Sequence, residues 1–97
     1  MNLPLKPGST AQDYQLLFDR QVIPFLKKFG TDLIIVSAGY DANEQDLIAE
    51  INLDPQDYGD FTNQLKKITS RLLFGLEGGY HLAALAKSVV ATLASCL

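Results

Sequence analysis

The chain begins with alternating short polar and apolar residues and two prolines, then settles into a helical rhythm. Tyr14, Leu17, Phe18, Val22, Phe25, Leu26 and Phe29 recur at three- and four-residue intervals, which predicts a helix over residues 11–29. Ser9 or Thr10 is placed to cap it, and Gly30 is placed to end it. Pro24 lies inside this pattern and predicts a kink or two shorter pieces, because proline lacks the amide a helix interior needs. The rhythm then changes. Asp32-Leu33-Ile34-Ile35-Val36-Ser37 is an apolar, β-branched run without polar alternation, as expected of a strand buried on both faces of a parallel sheet.

A polar loop follows from Ala38 to Asp46, and residues 47–53 are assigned a short turn of helix. Asp54-Pro55-Gln56-Asp57 reads as a helix start, with Asp54 as N-cap and Pro55 at the first position. The stripe Phe61, Leu65, Ile68 and Leu72 extends that helix to about Arg71. Residues 72–76 form a second buried strand. From His81, in the first turn, the stripe Leu82, Leu85, Ala86, Val89 and Leu93 carries a last helix to the C-terminus. The order is helix, strand, helix, strand, helix: an α/β chain with a short parallel βαβ sheet and packed helices, forming one domain over residues 1–97. A strand–helix–strand unit is parallel with a right-handed crossover, so the loops after both strands emerge at one carboxyl edge.

Composition adds little beyond exclusions. The chain has 97 residues, 47% hydrophobic and 20% charged, with net charge −3. No basic face suggests nucleic acid or an anionic membrane, and no apolar run reaches the ~20 residues of a membrane span. The single cysteine, Cys96, excludes a disulfide framework and reads as a small apolar or frayed terminal residue. A reducing cytoplasm is the expected location.

The chemistry concentrates on the two converging loops. One carries Asp41, Glu44 and Asp46; the other carries Gly78, Gly79 and Tyr80. Loop carboxylates can hold a hard or borderline cation, and a phenol opposite can donate to a developing oxyanion. Paired glycines let the backbone take positive φ and approach a ligand closely. The plain alternative is a solvated acidic loop beside a strand–helix turn whose tyrosine packs, as Tyr14, Tyr40 and Tyr58 are expected to do. An anion at the glycine turn is a further chemical option.

Four stretches resemble the C-terminal part of the histone deacetylase family, in the bacterial branch of acetoin-utilisation and acetylpolyamine amidohydrolase proteins. They are Asn2-Leu3-Pro4-Leu5 with Pro7-Gly8-Ser9; Asp32 through Ala42; Leu53 through Thr62; and Leu76 through Tyr80 with Leu82 through Ala86. The second and fourth are specific to the family. The resemblance implies a partial arginase–deacetylase fold and zinc-dependent hydrolysis of N-acetyl groups on lysine or polyamines. It places Asp46 on the zinc-binding aspartate and Tyr80 on the tyrosine that polarises the acyl carbonyl. Gly78 and Gly79 fall on the turn that aims it, beside the substrate. This sequence departs from the family in two local ways: Leu47 replaces the usual proline, and Asn43 stands where histidine is frequent.

The family domain is much longer. Its tandem catalytic histidines and its other two zinc ligands have no counterpart here, where His81 is the only histidine. Three expectations follow: a segment inactive alone, an enzyme completed in trans by a complementary N-terminal half, or a non-catalytic oligomeric module, a two-fold dimer by the prevalence of such dimers.

Overall fold

A computed structural model describes residues 1–97. Helix α1 (Ala11–Leu17) runs through a π turn (Phe18–Val22) into α2 (Ile23–Phe29). Strand β1 (Ile34–Ala38), helix α3 (Pro55–Lys66), strand β2 (Leu72–Leu76) and helix α4 (Leu82–Cys96) complete the order. The strands pair in parallel, with Ile34 opposite Leu72 and Ala38 opposite Leu76. This is the expected α/β arrangement, a short parallel sheet with packed helices.

Local chemistry explains the element ends. Thr10 donates its backbone N–H to the Asp13 carboxylate at 2.9 Å, and Asp54 donates likewise to Asp57 at 2.8 Å. Both helix starts are thus clamped by an acid three residues in. As expected around Pro24, the helix falls into two shorter α pieces, here joined by a π turn. The residues before it widen into the π turn, in which the Ile23 amide donates to the Phe18 carbonyl, one residue beyond the α pattern. Gly30 ends α2 at φ +74°, in the left-handed region that glycine occupies without strain.

Several predicted bounds change. Helix α3 stops at Lys66 instead of Arg71, because the Ile68 and Thr69 amides both turn back to the Leu65 carbonyl. Residues 47–53 contain no helical turn. They close into bridges, Thr10 with Asn52 and Asn43 with Leu53, which fasten the N-terminal segment and the first loop together. His81 caps α4 from outside, its Nδ1 accepting the Ala84 amide at 3.2 Å. Cys96 is exposed.

The largest correction concerns burial. One sheet face, bearing Ile34, Val36, Ala38 and Phe74, packs toward the helices. The other is open: Ile35 is 67% and Leu73 57% exposed. The continuous apolar run thus spans a covered and an uncovered face. Helix α4 also turns differently from its predicted stripe. Its buried line is Ala84, Ser88 and Thr92, while Leu82 and Leu93 face outward.

The covered side is built on α3. Phe61 stacks on Tyr14 and on Phe18, both at 5.1 Å between centroids, joining α3 to the first helix. Against α4, α3 presents Gly59. A Cβ there would lie 3.1 Å from the Ala91 carbonyl oxygen and 2.9 Å from Ser95 Oγ. The glycine is what lets the two helices meet this closely. Behind the aromatic stack, the Tyr58 hydroxyl is buried without a hydrogen-bond partner. Burial, then the nearby Tyr14 and the Asp41 charge, push its phenol well above the ordinary tyrosine value of 10.0.

Two outcomes follow. Gly59→Ala, normally a gain inside a helix, should lower stability by about 1–2 kcal/mol in urea unfolding because the methyl overpacks the α3–α4 contact. Tyr58→Phe should match or exceed the parent by up to about 1 kcal/mol, since it removes an unsatisfied buried hydroxyl. The unfolded chain ionises this tyrosine near 10 while the fold keeps it neutral. Stability therefore falls as pH rises above 10, and the variant's alkaline unfolding curve should be shifted to higher pH.

Candidate active-site loops

The parallel register delivers the loop after β1 and the loop after β2 to the same edge, and hydrogen bonds lace them together. Glu77 donates its amide to the Ala38 carbonyl at 3.0 Å, and Tyr40 donates to the Gly78 carbonyl at 2.8 Å. At the tip, the Asp46 carboxylate joins both loops. Its Oδ1 accepts the Ile48 amide at 3.0 Å, and its Oδ2 accepts the Tyr80 amide at 2.7 Å. Asp46 and Tyr80, on the two loops expected to converge, are thus directly bonded.

Asp46 is buried, with 4% of its surface exposed. Burial alone would raise its pKa. The amides of Ile48 and Tyr80 outweigh that effect and hold it below the ordinary carboxylate value, with smaller help from His81. Each oxygen that accepts one amide retains a second lone pair. The bond from Ile48 closes a turn over Leu47, so the aspartate is oriented without the proline usual at that position. Leu47 itself projects fully into solvent.

The glycine turn is dictated by its neighbours. Gly79 adopts φ +144°, and a Cβ there would lie 2.9 Å from Leu85 Cδ1 and 3.2 Å from Tyr40 Cβ. A Cβ on Gly78 would meet the Asp41 carboxylate at 3.0 Å. Both glycines let the second loop lie flat on the first. The Tyr80 backbone is held by Asp46, whereas its side chain is 60% exposed.

Beneath the loops lies a polar layer that sequence reasoning missed. Asn43 is 1% exposed and donates Nδ2 to Ser88 Oγ at 2.7 Å. Its backbone carbonyl accepts the Asp46 amide at 2.9 Å. Ser88 in turn donates to the Ala84 carbonyl, and Tyr40 donates its hydroxyl to Thr92 Oγ1 at 3.1 Å. Asn43 therefore connects α4 to the residue that positions Asp46. The available signal was Ser88 and Thr92, small polar residues four apart in a largely apolar helix.

The donor set falls short of the zinc site that the resemblance implies. No three His, Cys, Asp or Glu side chains come together anywhere in the chain. Asp46 offers one carboxylate where a catalytic zinc takes three protein ligands. The 97 residues do not make a zinc site by themselves.

Replacing Asp46 by Ala should abolish hydrogen-exchange protection at the Tyr80 and Ile48 amides while leaving the sheet amides protected. In the parent, the Tyr80 amide proton should titrate with this carboxylate, below the ordinary aspartate value of 3.8. The tie between the loops is thus present above that range and is lost as pH falls through the depressed value. Asn43→Ala should cost about 1–2 kcal/mol and speed exchange at the Asp46 amide, because it removes the loop's bond to α4.

Comparison with known proteins agrees with this geometry. The histone deacetylase domain family matches residues 1–96. An uncharacterized protein of Synechocystis sp. is 53% identical over 93 residues, covering 96% of this chain and 31% of that protein. Histone deacetylase HDA1 of Candida albicans is 39% identical over 93 residues, 94% of this chain and 11% of its own length. Among solved structures, the HDA15 HD domain superposes with TM-score 0.91 at 31% identity, covering 95% of this chain and 26% of that one. The histone deacetylase Clr3 gives TM-score 0.90 at 35% identity, with 94% and 16% covered. The chain thus spans less than a third of these relatives, and no helix in it is long and apolar enough to cross a membrane. With matching motifs, matching backbone and a family match over almost its full length, the chain belongs to the histone deacetylase family.

Proposed function

We propose that this chain supplies one part of a zinc-dependent amidohydrolase site, the part that carries Asp46 and Tyr80, and that these 97 residues do not hydrolyse acetyl amides alone. The observation that carries the reading is the 2.7 Å bond from the Tyr80 amide to Asp46 Oδ2. It fixes a carboxylate and a tyrosine at one sheet edge, and the resemblance assigns these two residues to the family's metal-binding aspartate and carbonyl-polarising tyrosine.

In a completed site Asp46 would be the residue of this chain that holds the metal, which would supply Lewis-acid chemistry there. The Tyr80 phenol, exposed here, is free to donate a hydrogen bond to the acyl oxygen as charge develops on it. The Gly78–Gly79 turn keeps the second loop low enough for an acyl group to approach. The remaining metal ligands and the residues that move the proton must come from outside these residues. The substrate class is an N-acetylated lysine or polyamine, in keeping with the bacterial deacetylase-like motifs.

The protein alone, with added zinc, should give no turnover of acetyl-lysine peptide or acetylpolyamine. Combined with the remaining portion of the Synechocystis relative, it should acquire zinc-dependent turnover. Tyr80→Phe should lower kcat of that assembly by roughly 10²–10³ with the complex intact, the cost typical of removing one oxyanion donor. Turnover by the 97 residues alone would overturn the reading.

A further inference from the structure

The open face of the sheet identifies what must cover it. Leu33, Ile35 and Leu73 lie on one side, with 53%, 67% and 57% of their surfaces exposed, and Ile35 sits directly opposite Leu73 in the ladder. Nearer the loops this face continues with Ser37 opposite Gly75. Parallel sheets occur almost only with both faces covered, because their strands carry apolar residues on both sides. The sheet here has two strands, so each also has a free edge. The molecule is correspondingly thin, 18 Å across its shortest axis against 37 Å along its longest.

The surface area gives a size for the missing cover. The chain exposes 6337 Å² at 10.6 kDa. A folded monomer of that mass exposes roughly 5,500 Å², so about 800 Å² is in excess over the whole surface. That is close to the ~800 Å² each partner buries in a stable protein–protein interface.

We propose that the Leu33–Ile35–Leu73 face is the docking surface for the rest of a deacetylase domain, a polypeptide that layers over this face and extends the sheet. The proposal rests on the functional reading above and names the surface it needs. Two observations choose this occupant over a second copy. The fold is retained at TM-scores of 0.90 and 0.91 inside chains of which it forms only 16% and 26%. A face-to-face dimer would also set one bare parallel sheet against another and leave each Asp46 as a lone ligand. Strands added beside β1 or β2 in parallel would instead end at the loop edge, where their side chains reach Asp46.

The test uses the 97-residue protein and, as probe, the portion of the Synechocystis relative outside its 93 matched residues. Co-expression should yield a soluble one-to-one complex by light scattering. Ile35→Asp and Leu73→Asp should each weaken it at least 100-fold, while Val90→Asp, on the outer side of α4, should leave it unchanged. A gentler pair guards against misfolding. In a Cys96→Ser background, maleimide labelling of Ser37→Cys should slow at least tenfold in the complex, and labelling of Val90→Cys should not. Absence of a complex, sensitivity to Val90→Asp alone, or unchanged labelling at Ser37→Cys would overturn the proposal. So would a dimer of the protein alone that already protects Ser37→Cys. A complex that meets every criterion but hydrolyses no acetyl amide would leave the surface assignment standing and remove the functional reading.

Discussion

Because β1 and β2 run parallel, both of their outgoing loops must leave at one edge, and the rest of the molecule is arranged around that consequence. The register sets Ala38 opposite Leu76, so the two loops begin level with each other. Short backbone bonds from Glu77 and Tyr40 continue the pairing past the strands. Asp46 then closes the join by accepting an amide from each loop. A buried carboxylate is costly unless donors surround it. Here the donors are backbone amides whose positions the sheet dictates, so the fold and the ionised state of Asp46 support each other.

Support from below is polar, which is unusual for so small a core. Helix α4 offers Ser88 and Thr92 to the loops, and both hydroxyls are engaged twice: toward the helix backbone and toward Asn43 or Tyr40. Apolar contacts would hold the loop down without specifying its rotation. Directional bonds fix which way Asn43 faces, and through its carbonyl they set the Asp46 amide. Part of this layer is under-satisfied, since Asn43 Oδ1 and the Tyr58 hydroxyl lack partners. Such groups destabilise a core, and they lie in the layer directly beneath the candidate site.

Much of this was legible in the sequence where the signal is local. Asp54-Pro55 and Gly30 marked helix ends because caps and turns depend on few neighbours. The βαβ order and the meeting of Asp46 with Tyr80 followed from chain topology. Periodicity failed where tertiary packing chose among similar faces. Helix α4 is apolar nearly all round, so its stripe of leucines did not reveal that Ala84, Ser88 and Thr92 turn inward. The run Ile34-Ile35-Val36 announced a strand with two apolar faces, yet only one of them is covered by these residues. Residues 47–53 had no repeating pattern, and their bridges to Thr10 and Asn43 depend on contacts distant in sequence.

The bare face and the lone buried carboxylate at the loop edge are, on the proposed reading, two expressions of the same incompleteness. In a parallel sheet, a covering layer and further strands arrive together, since each crossover that adds a strand also lays an element on a face. Each added strand also brings a loop to the carboxyl edge, where ligands for a metal are placed. A polypeptide that buries Ile35 and Leu73 is thus the same kind of polypeptide that can bring side chains beside Asp46. A partner that merely covered apolar surface would not have to approach that edge. Asp46 is already aimed and ionised, and the Tyr80 side chain already stands clear of the core. On the proposed reading, the part of the site held by this chain would require little rearrangement on assembly, so the energy of docking would go chiefly into burying the open face.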